Sequence, residues 1–304
     1  SSGSSVLLGH SLSLLLTAIV VSSGIKKGIE KVTKFFMPIL FIILLALAIW
    51  AASLPGAWEG YKTFLFKFDF EELKNPQTIR YAFSQAFFSL SLGIGIMVAY
   101  ASYLNKKSNL PKLSFSVASL DTIVGLTAGL ITFPIFITFG LSDAIAESPI
   151  GALFISIPTG LEGAGILGRI VAIAFFGLVY IAAITSSVSL LEVPVSSLMD
   201  KFGFKRNKSV FLVTVFVFIL GIPSALDTTF LGTFDSIFNV LLILGGFLVA
   251  FLMGWVVPGK FNEELNVSKV SIKTTRYLKF MLRWVSPPVI AFGLVISIFD
   301  LLNG

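Results

Sequence analysis

Within the sequence, the stretch Gln85-Ala86-Phe87-Phe88-Ser89-Leu90-Ser91-Leu92-Gly93-Ile94-Gly95 governs how the rest of the chain is read. It lies inside an apolar segment near 79–103 and places two serines and two glycines where an unbroken helix would carry leucine or alanine. Glycine there lets a helix unwind. Carbonyls and amides freed at membrane depth are tolerated only where they line a cavity or bind something, so a discontinuous helix predicts an ion or substrate site. Close helix packing through small residues is the other way to use the same glycines.

Membrane depth follows from composition. Of 304 residues 56% are hydrophobic, and only 22 are Lys or Arg and 16 Asp or Glu. Mean hydropathy is +0.95, whereas a soluble domain is roughly one quarter charged. Apolar runs of about 20 residues recur, each long enough to cross a hydrocarbon core roughly 30 Å thick, which excludes a water-soluble enzyme. Stretches such as 35–52 and 241–257 are apolar on every face, which disfavours the alternation of a barrel strand. The fold class is therefore an all-α polytopic membrane protein. With no cysteine there is no disulfide framework, thiolate metal site or cysteine nucleophile.

Eight apolar segments are expected, near 6–24, 35–52, 79–103, 113–140, 166–199, 209–226, 232–257 and 281–302. Alternate loops at 25–34, 105–112, 201–208 and 259–283 hold 17 of the 22 basic residues. Basic groups set between apolar runs mark a cytoplasmic membrane face rather than a nucleic-acid surface, so no nucleic-acid partner is expected and both ends of the chain face outward. The sequence opens Ser1-Ser2-Gly3-Ser4-Ser5 without methionine, from which we expect that something upstream is missing or replaced.

Three further features carry chemistry. Ala182-Ala183-Ile184-Thr185-Ser186-Ser187-Val188-Ser189 is a hydroxyl-rich patch in a long apolar helix. It offers the hard oxygens a sodium ion takes, although such hydroxyls also bond harmlessly to the carbonyl one turn back. Asp121 is a carboxylate inside an apolar run, where insertion costs a few kcal/mol and a partner, water or a cation is the rule. Glu192 poses the same question with a weaker claim, since snorkelling toward the cytoplasmic face is open to it. His10, the only histidine, is expected to be a helix–helix hydrogen bonder or an interfacial residue rather than a proton relay.

The run Gln85–Gly95 followed by Tyr100-Ala101-Ser102-Tyr103 resembles the unwound sixth helix of the neurotransmitter:sodium symporter family, bacterial branch, and Ala182 with Thr185-Ser186-Ser187 resembles its eighth. Order and spacing agree over essentially the whole chain. The resemblance implies a LeuT-type inverted-repeat fold in one membrane domain, 1–304. Residues 6–52 would be the last two helices of the first repeat, 79–257 the second repeat and 281–302 an added helix. The eight segments would then be family helices four to eleven, with a re-entrant outer loop at about 142–163 and the preceding helices missing.

By the same resemblance the protein is a sodium-coupled amino-acid symporter of the bacterial inner membrane, working by alternating access on a neutral or hydrophobic amino acid. Two Na+ sites are implied, each incomplete in this chain, and the chain alone is not expected to transport. The first site would use Ser89 and Asp121, the latter where members commonly have asparagine. The second would use the Ala182 carbonyl with Thr185 and Ser186. Asp121 supplies the charge that other members take from chloride, and Gly125 offers no hydroxyl, so chloride independence is expected. Phe88, Ser89, Ser91, Ile94, Ser186 and Leu190 would contact substrate, Ile94 replacing a frequent aromatic. Tyr103 and Asp200 resemble inner-gate residues and Asp235 the outer-gate carboxylate. An intramembrane aspartyl protease would need Gly-x-Gly-Asp, but Asp121 follows Ala118-Ser119-Leu120, so no enzyme is expected. A passive channel or a non-transporting membrane scaffold is the alternative.

Overall fold

A computed structural model describes residues 3–105, 108–140, 158, 161, 165–267 and 270–303. Among these the secondary structure is helical, with no strand. In chain order the helices are α1 (Gly3–Ser22), α2 (Glu30–Ala52), α3 (Ala57–Phe66), α4 (Pro76–Ser89), α5 (Ile96–Ala101), α6 (Leu110–Thr138), α7 (Gly165–Phe202), α8 (Arg206–Leu226), α9 (Thr228–Phe251), α10 (Pro258–Val267), α11 (Ile272–Phe280) and α12 (Ser286–Asn303). Wide turns of π type at Ile25–Ile29, Leu252–Val256 and Met281–Val285 lead into or extend them.

Among the described residues seven helical stretches are long and apolar enough to cross a membrane: α1, α2, α6, α7, α8, α9 extended to Val256, and Ile272–Leu302. The eighth expected segment is the pair α4 and α5, of 14 and 6 residues, each too short to span alone because the chain unwinds between Ser89 and Ile96. The expected re-entrant loop at 142–163 lies, apart from Pro158 and Leu161, outside the described residues.

Local sequence explains the starts. Asn75 accepts the Gln77 amide at 3.0 Å with Pro76 as the first helical residue of α4. Asp227 accepts the Thr229 amide at 2.8 Å at the head of α9, and Ser271 the Thr274 amide at 3.2 Å at the head of α11. On α1, Leu8, Leu12, Leu15 and Ile19 are exposed at three- and four-residue spacing. That is one continuous apolar stripe, the face a lipid-contacting helix presents.

Contacts divide the chain into two compact units, one of Ser1–Ala18, Asp69–Asp121 and Ser189–Gly304, the other of Ile19–Phe68 and Thr122–Val188. In the first unit α4, α9 and α12 pack on one another, with Phe87, Leu242 and Ile243 buried between them. In the second, Leu44, Leu47, Ala51, Ile131, Ile135, Phe136, Val171 and Phe175 form the core.

Candidate functional site

The helix break is built by backbone geometry. The α4 ladder closes with Leu90 N–H to the Ala86 carbonyl at 3.2 Å, Ser91 to Phe88 at 3.0 Å and Leu92 to Phe87 at 2.8 Å. It resumes in α5 with Ala99 N–H to the Gly95 carbonyl at 2.8 Å. Between them Ser91, Gly93 and Gly95 take φ of 54°, 85° and 83°, a region that costs an L side chain about 1–2 kcal/mol and glycine little.

Gly93 is needed for a second reason. A Cβ there would overlap the Leu242 carbonyl oxygen, and one on Gly245 would overlap the Gly93 carbonyl. The unwound segment thus lies backbone to backbone on α9, while Gly246 makes room for the Phe87 ring. The two uses of glycine left open by the sequence, unwinding and close packing, are both present at this one segment.

Beside the break, the Ser89 hydroxyl donates to Asp121 Oδ1. This brings together, 32 residues apart, the two side chains expected at the first sodium site. Both are half-buried, and both present hard oxygens of the kind that unwound transporter helices offer Na+. In the second unit, the Thr185 hydroxyl donates to the Ala182 carbonyl at 2.8 Å, the local back-bond weighed for the hydroxyl patch. Ser186, one residue on, is exposed. The donor chemistry at both places fits sodium: hydroxyls, a carbonyl and one carboxylate.

Of the residues expected to contact substrate, Ser91 and Ile94 are half-buried in the break, and Ile94 packs on the α4–α9–α12 core. Phe88 is 54% exposed and Leu190 39%, so neither ring nor branched chain is covered by the rest of its unit.

A profile of the sodium:neurotransmitter symporter family matches residues 5–303. The chain belongs to the sodium:neurotransmitter symporter family. It is 34% identical over 305 residues to an uncharacterized sodium-dependent transporter of Haemophilus influenzae, covering 95% of this chain and 64% of the relative. It is 35% identical over 291 residues to the uncharacterized sodium-dependent transporter YhdH of Bacillus subtilis, covering 90% and 62%. The chain therefore spans less than two thirds of the curated relatives it matches. The crystal structure of MhsT in complex with L-phenylalanine superposes with a TM-score of 0.86 at 37% identity, covering 96% of this chain and 68% of that one. The fold is thus of the expected symporter type, and the protein is a multi-pass membrane protein.

Other polar groups of this symporter-family chain are held by specific partners. Glu192 does not snorkel. It is fully buried and takes both guanidinium arms of Arg206, the first at 3.2 Å. Arg206 opens α8, so the pair ties that end of α8 to α7, and burial is tolerated because the charge is matched in bidentate geometry. One turn away, the Tyr100 hydroxyl and Ser189 Oγ lie 2.7 Å apart. Tyr103 is half-exposed, within electrostatic reach of Glu192, Arg206 and Asp200. Asp200 itself is exposed. Asp235 is exposed and accepts from Asn239 Nδ2 at 3.0 Å along its own helix.

His10 stacks on Phe218, ring centroids 5.3 Å apart, with Nε2 3.4 Å from the Phe218 carbonyl. It fits because Gly221 has no side chain. Of the two roles expected for His10, helix–helix bonding or an interfacial position, the contact to Phe218 is the first.

Sequence reasoning missed Arg80 and Asp300, which pair at 2.8 Å with side chains only 17% and 14% exposed. A signal was present: the loop charge count puts both residues at the same membrane face.

Proposed function

We propose that the protein carrying this chain is a sodium-coupled symporter of neutral or hydrophobic amino acids that works by alternating access around the α4–α5 break. One observation carries the proposal: in a sodium symporter family chain, the Ser89 hydroxyl and the Asp121 carboxylate meet at the point where the helix unwinds. Unwound backbone with a few oxygen ligands at membrane depth is how such carriers hold ion and substrate together. MhsT, crystallised with L-phenylalanine, supports an amino-acid substrate.

Ser89 and Asp121 would hold one sodium, and the Ala182 carbonyl, Thr185 and Ser186 a second. A bound ion supplies positive charge beside Asp121. Phe88, Ser89, Ser91, Ile94, Ser186 and Leu190 would contact the substrate. Asp121 gives the site its own negative charge, so chloride is not required. Tyr103 and Asp200 act at the inner gate and Asp235 at the outer one. The protein sits in a bacterial inner membrane with the basic loops inside and both ends of this chain outside.

Uptake of labelled phenylalanine, leucine and alanine into proteoliposomes tests the proposal. Uptake should require an inward sodium gradient. Equal uptake with potassium in place of sodium indicates a passive pathway, and no uptake of any amino acid with sodium indicates a different substrate or a scaffold.

A further inference from the structure

Two π-type turns face each other where apolar helices end, at Leu252–Val256 below α9 and Met281–Val285 above α12. Gly254 lets them touch, since a Cβ there would lie 2.7 Å from the Leu282 carbonyl oxygen. The Trp255 indole N–H donates to the Arg283 carbonyl at 3.0 Å, which fixes the ring. The Arg283 guanidinium then lies over both indoles, 4.7 Å from the Trp255 centroid and 5.7 Å from that of Trp284. The rings themselves meet edge to face at 5.0 Å.

An arginine stacked over aromatic rings is held in place while its N–H edge can still donate, an arrangement that suits bidentate recognition of phosphate. Among the described residues no carboxylate or carbonyl accepts from this guanidinium. Lys273, Arg276 and Lys279 precede Arg283 at spacings of three, three and four, which aligns four cations along one helical face. All are exposed, and none is in an ion pair among the described residues. Next to them runs a second stripe, Tyr277, Phe280 and Trp284, exposed by 58%, 55% and 56%.

Beyond Arg283 the next charge is Asp300, so Arg283 is the last cation before the hydrocarbon. Aromatic rings and cations side by side at that level mark a membrane interface, and between 258 and 285 six basic residues face only two acidic ones, Glu263 and Glu264. Net positive charge with no carboxylate paired to these four cations among the described residues calls for an external anion, and its position at the edge of the bilayer selects a lipid over a soluble ion.

We propose that Arg283, walled by Trp255 and Trp284 and preceded by Lys279, Arg276 and Lys273, is a binding site for the phosphodiester headgroup of an anionic phospholipid. Arg283 grips the phosphate through two N–H groups. The lysines and Arg276 add attraction without fixing orientation.

The test uses the fluorescence of Trp255 and Trp284 in a Trp50→Phe, Trp58→Phe background, reconstituted with acyl-brominated phosphatidylglycerol or brominated phosphatidylcholine at matched mole fractions. Phosphatidylglycerol should quench at about fivefold or more lower mole fraction, the preference expected from one well-placed cation. Arg283→Gln should remove that preference. Arg276→Gln with Lys279→Gln, both at exposed positions, should reduce it and carries the test if Arg283→Gln does not fold. Equal quenching by the two lipids overturns the proposal, as does a preference that survives these substitutions. Loss of the preference on adding excess inorganic phosphate would assign the site to a soluble anion and overturn it as well.

Discussion

The Ser89 hydroxyl donates to the Asp121 carboxylate, joining the last residue of α4 to the middle of α6. The proton points at the carboxylate, which leaves the hydroxyl lone pairs free to face a cation. In the proposed function, Asp121 takes the place of a mobile anion beside the unwound helix.

Chloride dependence should follow from removing that charge. Gly125 lies one turn after Asp121 and faces open space, with no atom within 4 Å of an added Cβ, so a serine fits there. In Asp121→Asn with Gly125→Ser, uptake in chloride should exceed uptake in gluconate, while the parent protein shows no difference. Chloride-dependent uptake by the parent would contradict the assigned role of the carboxylate.

Gly245 and Gly93 touch through their backbones. Gly245→Ala should destabilise the protein by roughly 1–3 kcal/mol through overpacking. Gly93→Ala should cost more, since it adds the penalty of a left-handed φ to a clash with backbone. Thermal unfolding in detergent orders the two variants, and an unchanged midpoint for Gly93→Ala would show that the break does not lie on α9.

Glu192 and Arg206 should be strongly coupled. Arg206→Ala leaves a buried carboxylate without its counter-charge and should cost roughly 3–5 kcal/mol. Neutralising the partner as well, in Glu192→Gln with Arg206→Ala, should recover part of that loss. A double-mutant cycle on unfolding midpoints reads the coupling directly, and strict additivity would mean that the pair is not closed in the membrane.

The helices and the break were legible because each depends on a local pattern. Long apolar runs leave few options in lipid, and Ser91, Gly93 and Gly95 supply the three positive φ values within five residues. Ser89 and Asp121 could be paired because a resemblance placed them together. Glu192 was harder to read. Its partner lies 14 residues on, past the end of α7, and the usual behaviour of a carboxylate near a membrane face suggested an excursion to water rather than a buried pair. Arg80 and Asp300 are separated by most of the chain, and only topology places them at one face. The tryptophan walls of Arg283 depend on two wide turns that no local signal announces.

The most direct test of the central claim is the sodium concentration that half-activates amino-acid uptake, measured in parallel for the parent protein and Asp121→Asn in proteoliposomes containing gluconate. If Ser89 and Asp121 form the sodium site, the variant should need about tenfold or more sodium, the effect expected when a directly held ion loses roughly 1.4 kcal/mol or more of interaction. An unchanged sodium response in Asp121→Asn would contradict the account and reduce the Ser89–Asp121 bond to a structural contact.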